Sequence, residues 1–560
     1  MGGKNELKFK IAALAVLLVF FLPSVAEAET KIFNVEPNYD YYSRNQIEAV
    51  LHRTTNKMSF YIEKGWWDGL KEEKKSEIGE GLYKLSAEFE YRIYPEMTSV
   101  FGPEPDHPID DSGRLTILFH RMVSGAGGYV NSGDQYSRYQ YSRSNERNMA
   151  YINTAFLDSP MLSGFLAHEF MHLITFNAKE KKHNVREEVW LNEARAEYMP
   201  TFFGYNGEGE SNLLRRKENF IKTPDNPLTE WLNRSADYGA INMFTQYLVD
   251  HYGVEILIDS LQSDKIGIES INLALKKNGY QEDFDQIFTD WTIAVLVNDC
   301  SLGEKYCYLN EDLKDLRIAP QTSYLPRGHG SSFSIKQGIK NWSGNWYRVV
   351  GGSGDLVVEF KAEEEANFQI PYFLCDIDDS CQVGFIQLNR EGRGSVRVDN
   401  FGKEYKSLTI IPSVRNKTAG FNGEEKSVYF SWSAVAIPVR EIEESTQRLL
   451  DRIEELKREI ARLQNLLAAR RGTLACAISS NLSFGSRGDE VECLQQFLKA
   501  ENVYPEGLIT GNFLTLTRQA VIRFQEKYAE DILYPLSLAR GTGYVGPMTR
   551  SKISEIQRLR

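Results

Sequence analysis

The spacing of hydrophobic and polar positions changes along the chain, and each change marks a different kind of element. From about Lys31 to Cys307, helix-period segments are interrupted by short apolar runs, of which Leu115 to Phe119 and Met149 to Asn153 are the clearest. That mixture predicts an α+β domain over 29–310. From Ile318 to Pro438 the runs shorten and alternate, as in Asp355-Leu-Val-Val-Glu-Phe360 and Ser407-Leu-Thr-Ile-Ile-Pro412, with Gly, Asn and Asp between them. This spacing predicts a β-sandwich over 318–438. Between Arg440 and Arg471 there is no Gly or Pro; Ile442, Leu449, Leu456 and Leu463 recur every seven residues, with Thr446, Ile453, Ile460 and Leu467 as the companion series. Mostly β-branched residues at a and mostly Leu at d favour a parallel two-stranded coiled coil over 440–471, hence a homodimer. A single spacer helix folded back on a neighbouring domain is the alternative, which about four heptads leave open. The segment 476–560 carries three helix-like stretches between Gly-rich turns and predicts a small helical domain.

A chain of 560 residues is too long for one core and accommodates several such modules. Its first residues place Lys4, Lys8 and Lys10 before an apolar run from Ile11 to Leu22, followed by Pro23 and Ala26-Glu27-Ala28. The order predicts a signal peptide over 1–28, cleaved after Ala28, since the apolar run is shorter than the roughly 20 residues that span a bilayer. An exported protein follows. The six cysteines fall into local pairs, Cys300 with Cys307, Cys375 with Cys381 and Cys476 with Cys493. An even count in an exported chain predicts disulfides, and no Cys-x-x-Cys spacing suggests metal or redox chemistry. A net charge of -12 argues against a nucleic-acid partner, which requires a clustered positive surface.

Ser159 and Pro160 form a helix start, and the helix is expected to run to about Asn177. Within it His168 and His172 are four residues apart and share a face, with Glu169 beside them, so the two imidazoles can bind one zinc ion. The five-residue pattern also arises by chance on solvated helices, and the downstream segment decides. Trp190-Leu-Asn-Glu-Ala-Arg-Ala-Glu-Tyr198 offers Glu193 as a third ligand, leaving an open position for water. Glu197, four residues on, can accept a hydrogen bond from the far ring nitrogen of a ligating histidine. Val189, Trp190 and Leu191 imply that this end is buried. His183, in a polar loop, is the weaker ligand candidate.

These motifs resemble the gluzincin metallopeptidases, the thermolysin-like clan whose zinc is held by two histidines and a later glutamate. Asn192-Glu193 with Glu197 matches the clan's Asn-Glu-x-x-x-Asp/Glu pattern, which implies that Glu197 is the partner of His168. Asp237-Tyr238-Gly239-Ala240, leading to Phe244 and Tyr247-Leu248, looks like the later part of hyicolysin-like members. The resemblance covers about Ile47 to Tyr252. It implies an α+β zincin fold, Glu169 as general base, Tyr238 as a second oxyanion donor, and Met149 to Asn153 as the edge strand that pairs with an extended substrate. A metzincin would need Gly at 175 and His at 178, where this chain has Thr175 and Ala178.

The C-terminal segment resembles the three-helix peptidoglycan-binding domain of bacterial wall enzymes. The match rests on Gly485-Ser-Arg-Gly488 with Val491, Leu494, Gln495 and Leu498, then Gly511-Asn-Phe513 with Thr517, Ala520, Val521, Phe524 and Gln525, and finally Gly546-Pro547 with Thr549. Leu514 replaces a usual Gly, and the stretch from Glu526 to Gly543 is longer than in the family. Most of these residues are expected to be turns and core, so the match speaks for fold before ligand. The sequence thus predicts a zinc endopeptidase acting on proteins and tethered to peptidoglycan. A peptidoglycan stem-peptide hydrolase and a non-catalytic wall-bound adhesin are the other readings, the last disfavoured by the presence of both Glu169 and Glu193.

Overall fold

Six short strands open the chain: β1 (Thr30–Asn34), β2 (Gln46–Thr54), β3 (Met58–Glu63), β4 (Leu115–His120), β5 (Gly128–Tyr129) and β6 (Met149–Asn153). The computed structural model describes residues 29–106, 109–110, 112–206, 211–327, 330–416, 424–470 and 476–559; the expected signal peptide over 1–28 lies outside them. The strands form one sheet in the order β1-β2-β3-β4-β6-β5. β3, β4 and β6 run parallel, and β5 is antiparallel to β6 at the sheet edge.

Strand periodicity sends alternate side chains to two different cores. Phe60, Ile62, Ile117, Phe119, Ala150 and Ile152 join the main core. Tyr61, Leu118, Met149 and Tyr151 enter a second cluster with Phe33 and Ile47 on the other face. With both faces covered, every residue of β4 and β6 is buried. This corrects the reading of Met149–Asn153 as the edge strand. A strand apolar at nearly every position belongs inside a sheet, and the edge is held by the two residues of β5.

Helices α1 (Lys64–Asp68), α2 (Glu72–Glu88) and α3 (Tyr94–Val100) connect β3 to β4. Seven more follow the sheet: α4 (Leu162–Phe176), α5 (Val189–Phe202), α6 (Asn212–Lys222), α7 (Ser235–Tyr252), α8 (Glu255–Gln262), α9 (Gly267–Lys277) and α10 (Phe284–Val297). α4 starts later than expected. Ser159 accepts a hydrogen bond from the Met161 amide through Oγ, which closes a turn containing Pro160 before the helix begins. Past Phe176 the chain continues as a π-helical turn over Asn177–Lys182.

The next segment is all strand: β7 (Gln321–Leu325), β8 (Ser331–Lys340), β9 (Tyr347–Gly351), β10 (Gly354–Ala362), β11 (Phe368–Gln369), β12 (Pro371–Asp376), β13 (Cys381–Phe385), β14 (Arg393–Phe401), β15 (Tyr405–Ile410), β16 (Ser413–Val414) and β17 (Ser427–Ile437). Apart from the small β11–β16 pair, these strands form a nine-stranded sheet, close to a barrel, where a two-sheet sandwich was expected. The junction is local: Phe401 of β14 pairs with Tyr405 of β15 across a short turn, which makes the two halves continuous. The expected boundary at 310–318 is not a gap in the packing. Trp342 stands edge-on to Phe284 and Phe288 of α10, within the main core.

A second compact unit begins at Glu444. Helix α11 (Val439–Arg470) is unbroken, and the described side chains of its apolar seam, from Leu449 to Leu463, are exposed; those of Ile442 and Leu467 lie outside the described set. Helices α12 (Asp489–Ala500), α13 (Thr515–Lys527), α14 (Ala529–Ile532) and α15 (Pro547–Leu559) surround a core of Leu494, Leu498, Phe513, Val521 and Phe524. Two glutamines do the same job twice. Gln495 accepts from the Gly511 amide and donates to Thr517 Oγ1, while Gln525 accepts from the Gly543 amide and donates to Thr549 Oγ1. These sequence marks are therefore turn-fixing core residues. All three cysteine pairs are disulfide-bonded as expected. Among the described residues no helix is long and apolar enough to cross a membrane.

Candidate metal centre

α4 is buried almost all round, so it runs through the core and presents His168 and His172 from one face, a turn apart. α5 packs against it, its Trp190 and Leu191 buried, and brings Glu193 opposite the two rings. The Nε2 atoms of His168 and His172 lie 3.2 Å apart. Glu193 Oε2 is 3.5 Å from His168 Nε2, and its Oε1 is 3.7 Å from His172 Nε2. One ligand atom from each of the three residues falls within 4.8 Å of the others, and this group can hold a metal ion. The polar atoms fit such an occupant: Glu193 Oε2 is buried with no hydrogen-bond partner, and two imidazole nitrogens converge on one point.

The far ring nitrogens are held as well. His172 Nδ1 faces Asn192 Oδ1 at 3.2 Å, and His168 Nδ1 lies 3.6 Å from Glu197 Oε1. Glu197 is nearly fully buried and clamped by Arg216, whose Nε and terminal nitrogen donate at 2.8 and 2.6 Å. Asn212 and Asn242 donate to its Oε2 at 2.9 and 3.1 Å. Burial opposes a charge on Glu197, but Arg216 outweighs it and holds the carboxyl down at about 2. Burial likewise opposes a charge on His168, yet Glu193, Glu169 and Glu197 lift its ring to about 9. A cation must displace that proton, so loading releases it.

Glu169 is buried beside the rings, with Oε2 unpartnered. Burial pushes its carboxyl up to about 8, against the pull of His168; a cation bound nearby would lower it. Edge strand β5 runs past this carboxylate. A Cβ on Gly128 would stand 2.8 Å from Glu169 Oε1 and 2.6 Å from the Tyr151 carbonyl oxygen, so only glycine lets the edge come this close. Two recesses, of about 230 and 460 Å³, open on either side and share Tyr39, Gly128, His168, Glu169 and Tyr238 as lining.

Tyr238, in the first turn of α7, lies under the Arg216 guanidinium at 4.2 Å from the ring centre. Its hydroxyl donates to Asn233 Oδ1 at 3.0 Å, and burial, then Glu193, push its phenol up. Gly239 permits the approach of α6, since a Cβ there would meet the Phe220 amide nitrogen at 2.7 Å. The structure thus brings together His168, Glu169, His172, Asn192, Glu193, Glu197 and Tyr238. His183 is elsewhere, its Nε2 2.9 Å from the Gln262 carbonyl oxygen. Asn212, Arg216 and Asn242 around Glu197, and Gly128 and Tyr39 along the cleft, are additions. Of these only Gly128 has a local signal, the run Gly125-Ala-Gly-Gly128 before an aromatic residue.

No family model matches the sequence, and no curated protein matches it. Among solved structures it is similar to the pre-peptidase C-terminal domain of a collagenase from Bacillus anthracis, at 8% identity and a TM-score of 0.16, over 21% of this chain and 98% of that one. It is also similar to a periplasmic inhibitor of g-type lysozyme from Aeromonas hydrophila, at 13% identity and a TM-score of 0.13, over 21% of this chain and 97% of that one. Likenesses this low carry no argument about fold or activity.

Proposed function

We propose that this chain is a secreted zinc-dependent endopeptidase of gluzincin type that cleaves proteins and is tethered to the cell wall. One observation carries the reading: the convergence of His168 Nε2, His172 Nε2 and Glu193 beside the unpartnered carboxylate of Glu169. Two imidazoles and one carboxylate are the donor set of a catalytic zinc site with an open position. A zinc ion held there would supply Lewis acidity, lowering the pKa of water and polarising the substrate carbonyl. Glu169 takes the proton from water as the water oxygen bonds to the carbonyl carbon. It then delivers that proton to the leaving nitrogen as the carbon-nitrogen bond breaks, releasing an acid and an amine. The open edge of β5 lies beside Glu169, where an extended peptide can add as a further strand.

Three disulfides fit an oxidising compartment, in agreement with export. The C-terminal helical unit supports wall attachment by its likeness to peptidoglycan-binding modules, and recovery of the protein on purified sacculi tests it.

The enzyme reading is tested by treating base and ligands differently, with cleavage of a proteome-derived peptide library and zinc per chain as readouts. Glu169→Gln should keep its zinc and lose cleavage by orders of magnitude, whereas His172→Ala and Glu193→Ala should lose both. Wild-type protein without zinc, or Glu169→Gln cleaving at the wild-type rate, would overturn the assignment.

A further inference from the structure

The recesses lined by the metal ligands hold a second phenol, Tyr39, from a segment far from the two motifs. Tyr39 follows β1, and three independent sets of contacts fix it. Its ring stacks on Tyr129 of the edge strand at 4.6 Å, and Tyr129 stacks in turn on Tyr151 at 4.2 Å. Its carbonyl accepts from the Val123 amide at 2.9 Å. The next residue, Asp40, is fully buried and accepts from the Tyr42 and Arg44 amides and from the Arg44 guanidinium, which also reaches Glu63. This buried charge network has no part in the metal site, and its evident effect is to hold the Tyr39 loop.

Asn233 joins Tyr39 to Tyr238. Its side-chain nitrogen donates to the Tyr39 hydroxyl oxygen at 3.4 Å, while its side-chain oxygen accepts the Tyr238 proton at 3.0 Å. Asn233 itself sits at φ +58°, a left-handed conformation that asparagine tolerates better than most residues. The consequence is an asymmetry of protons. Tyr238 has its O–H committed to Asn233, whereas Tyr39 receives a hydrogen bond there and keeps its own O–H to donate. Both tyrosines line the cleft with His168 and Glu169.

The geometry points to Tyr39 as the hydroxyl that donates to the oxyanion formed from the substrate carbonyl, with Asn233 as the residue that positions it against Tyr238. The role rests on the endopeptidase reading and deepens it. Burial pushes the Tyr39 phenol up, so it stays a donor at neutral pH.

The test uses zinc-loaded full-length protein, the best-cleaved library peptide, and the phosphonamidate analogue of that peptide, whose tetrahedral anion mimics the oxyanion. Tyr39→Phe keeps the ring stack and removes only the donor. Zinc per chain and melting temperature should not change; kcat should fall by roughly 10²-fold, KM by less than about twofold, and the phosphonamidate Kd should rise in proportion to the loss in kcat. Asn233→Ala should lower kcat in the wild-type background and add nothing when both Tyr39 and Tyr238 are already Phe, because it acts only through them. An active wild type alongside a Tyr39→Phe protein of unchanged kcat and unchanged phosphonamidate affinity would overturn the role of Tyr39 alone. A zinc-loaded wild type that cleaves no library peptide would overturn the endopeptidase reading and this role with it.

Discussion

His168 Nδ1 and Glu197 Oε1 are 3.6 Å apart, on the side of the ring turned away from Glu193. The relation matters because Glu197 cannot be charged in that place alone. Arg216 on α6 supplies the countercharge, so the orientation of a metal-facing imidazole depends on a helix that contributes nothing to the metal itself.

Arg216→Met should therefore act at two levels. It leaves a buried carboxylate without its cation, a loss of about 3–5 kcal/mol, to be read in a denaturant titration. It also turns Glu197 towards its neutral form, a weaker acceptor for His168, so zinc affinity in a chelator competition should fall by about 10 to 100-fold. Stability and zinc affinity both at wild-type level would show that the ion pair does not support the ring.

Gly128→Ala tests the approach of the edge strand to the base. The new Cβ would lie 2.8 Å from Glu169 Oε1 and 2.6 Å from a backbone oxygen, and the backbone cannot yield as a side chain can. Strand or carboxylate must shift, at about 1–3 kcal/mol. Peptide cleavage should drop while zinc per chain stays constant, since the atoms the new Cβ meets first belong to Glu169 and the Tyr151 backbone, neither a metal ligand. An unaffected cleavage rate would mean that β5 does not register the substrate against Glu169.

The legible part of the site was the part encoded locally. His168 and His172 share one helical face with Glu169 beside them, and Glu193 and Glu197 share another, so spacing placed these five, whereas Asn192 and the pairing of Glu197 with His168 came with the gluzincin resemblance. Asn212, Arg216, Asn242 and Tyr39 arrive from other elements, and only the packing of α6 and α7 on α5, and of the Tyr39 loop on β5, decides what they touch. The edge strand was misread for a different reason. β5 has two residues, too few to show any period, whereas Met149–Asn153 shows an apolar run that belongs inside a sheet. In the β domain, alternation revealed strands but not their joining into one continuous sheet, which hangs on the single Phe401 and Tyr405 pairing. The α10 core shared with Trp342 was equally hidden, because a contact across a presumed boundary leaves no periodic trace.

Asp134 should make the stability of the sheet domain depend on pH. It is fully buried and accepts from the Tyr151 hydroxyl and the Asn145 amide, each at 2.6 Å. Burial lifts its carboxyl from the usual 3.8 to about 6. A folded-state value above the unfolded one means that its contribution is complete below about pH 4 and is lost as pH rises through about 6. The loss is about 3 kcal/mol at 1.36 kcal/mol per pH unit. Asp134→Asn removes the titration while retaining an acceptor. The stability difference between wild type and variant should thus move in favour of the variant between pH 4 and pH 7, and a difference independent of pH would refute the assignment.

Self-association through α11 should occur, with the helices antiparallel. Leu449, Ile453, Leu456, Ile460 and Leu463 are between 45% and 64% exposed, and a second copy would cover them. The a and d residues alone favour a parallel pair, but the flanking charges argue the other way. In a parallel pair each Arg452 would face Lys457 of the second copy, two repulsive contacts. If Ile453 instead packs against Leu456 of an antiparallel copy, each Arg452 falls opposite Glu459, two attractive contacts. Arg452→Glu therefore separates the arrangements by sign: it should weaken an antiparallel dimer by about tenfold in Kd and strengthen a parallel one. Thr446→Cys gives a geometric readout, since in a parallel pair Thr446 meets its own copy and can form an intermolecular disulfide, whereas in an antiparallel pair it meets Leu463 and cannot. Sedimentation across a concentration series should show a dimer that Arg452→Glu weakens and Thr446→Cys does not cross-link. A dimer tightened by Arg452→Glu would establish the parallel form, and a monomer at every concentration would leave the seam as the face of a spacer helix.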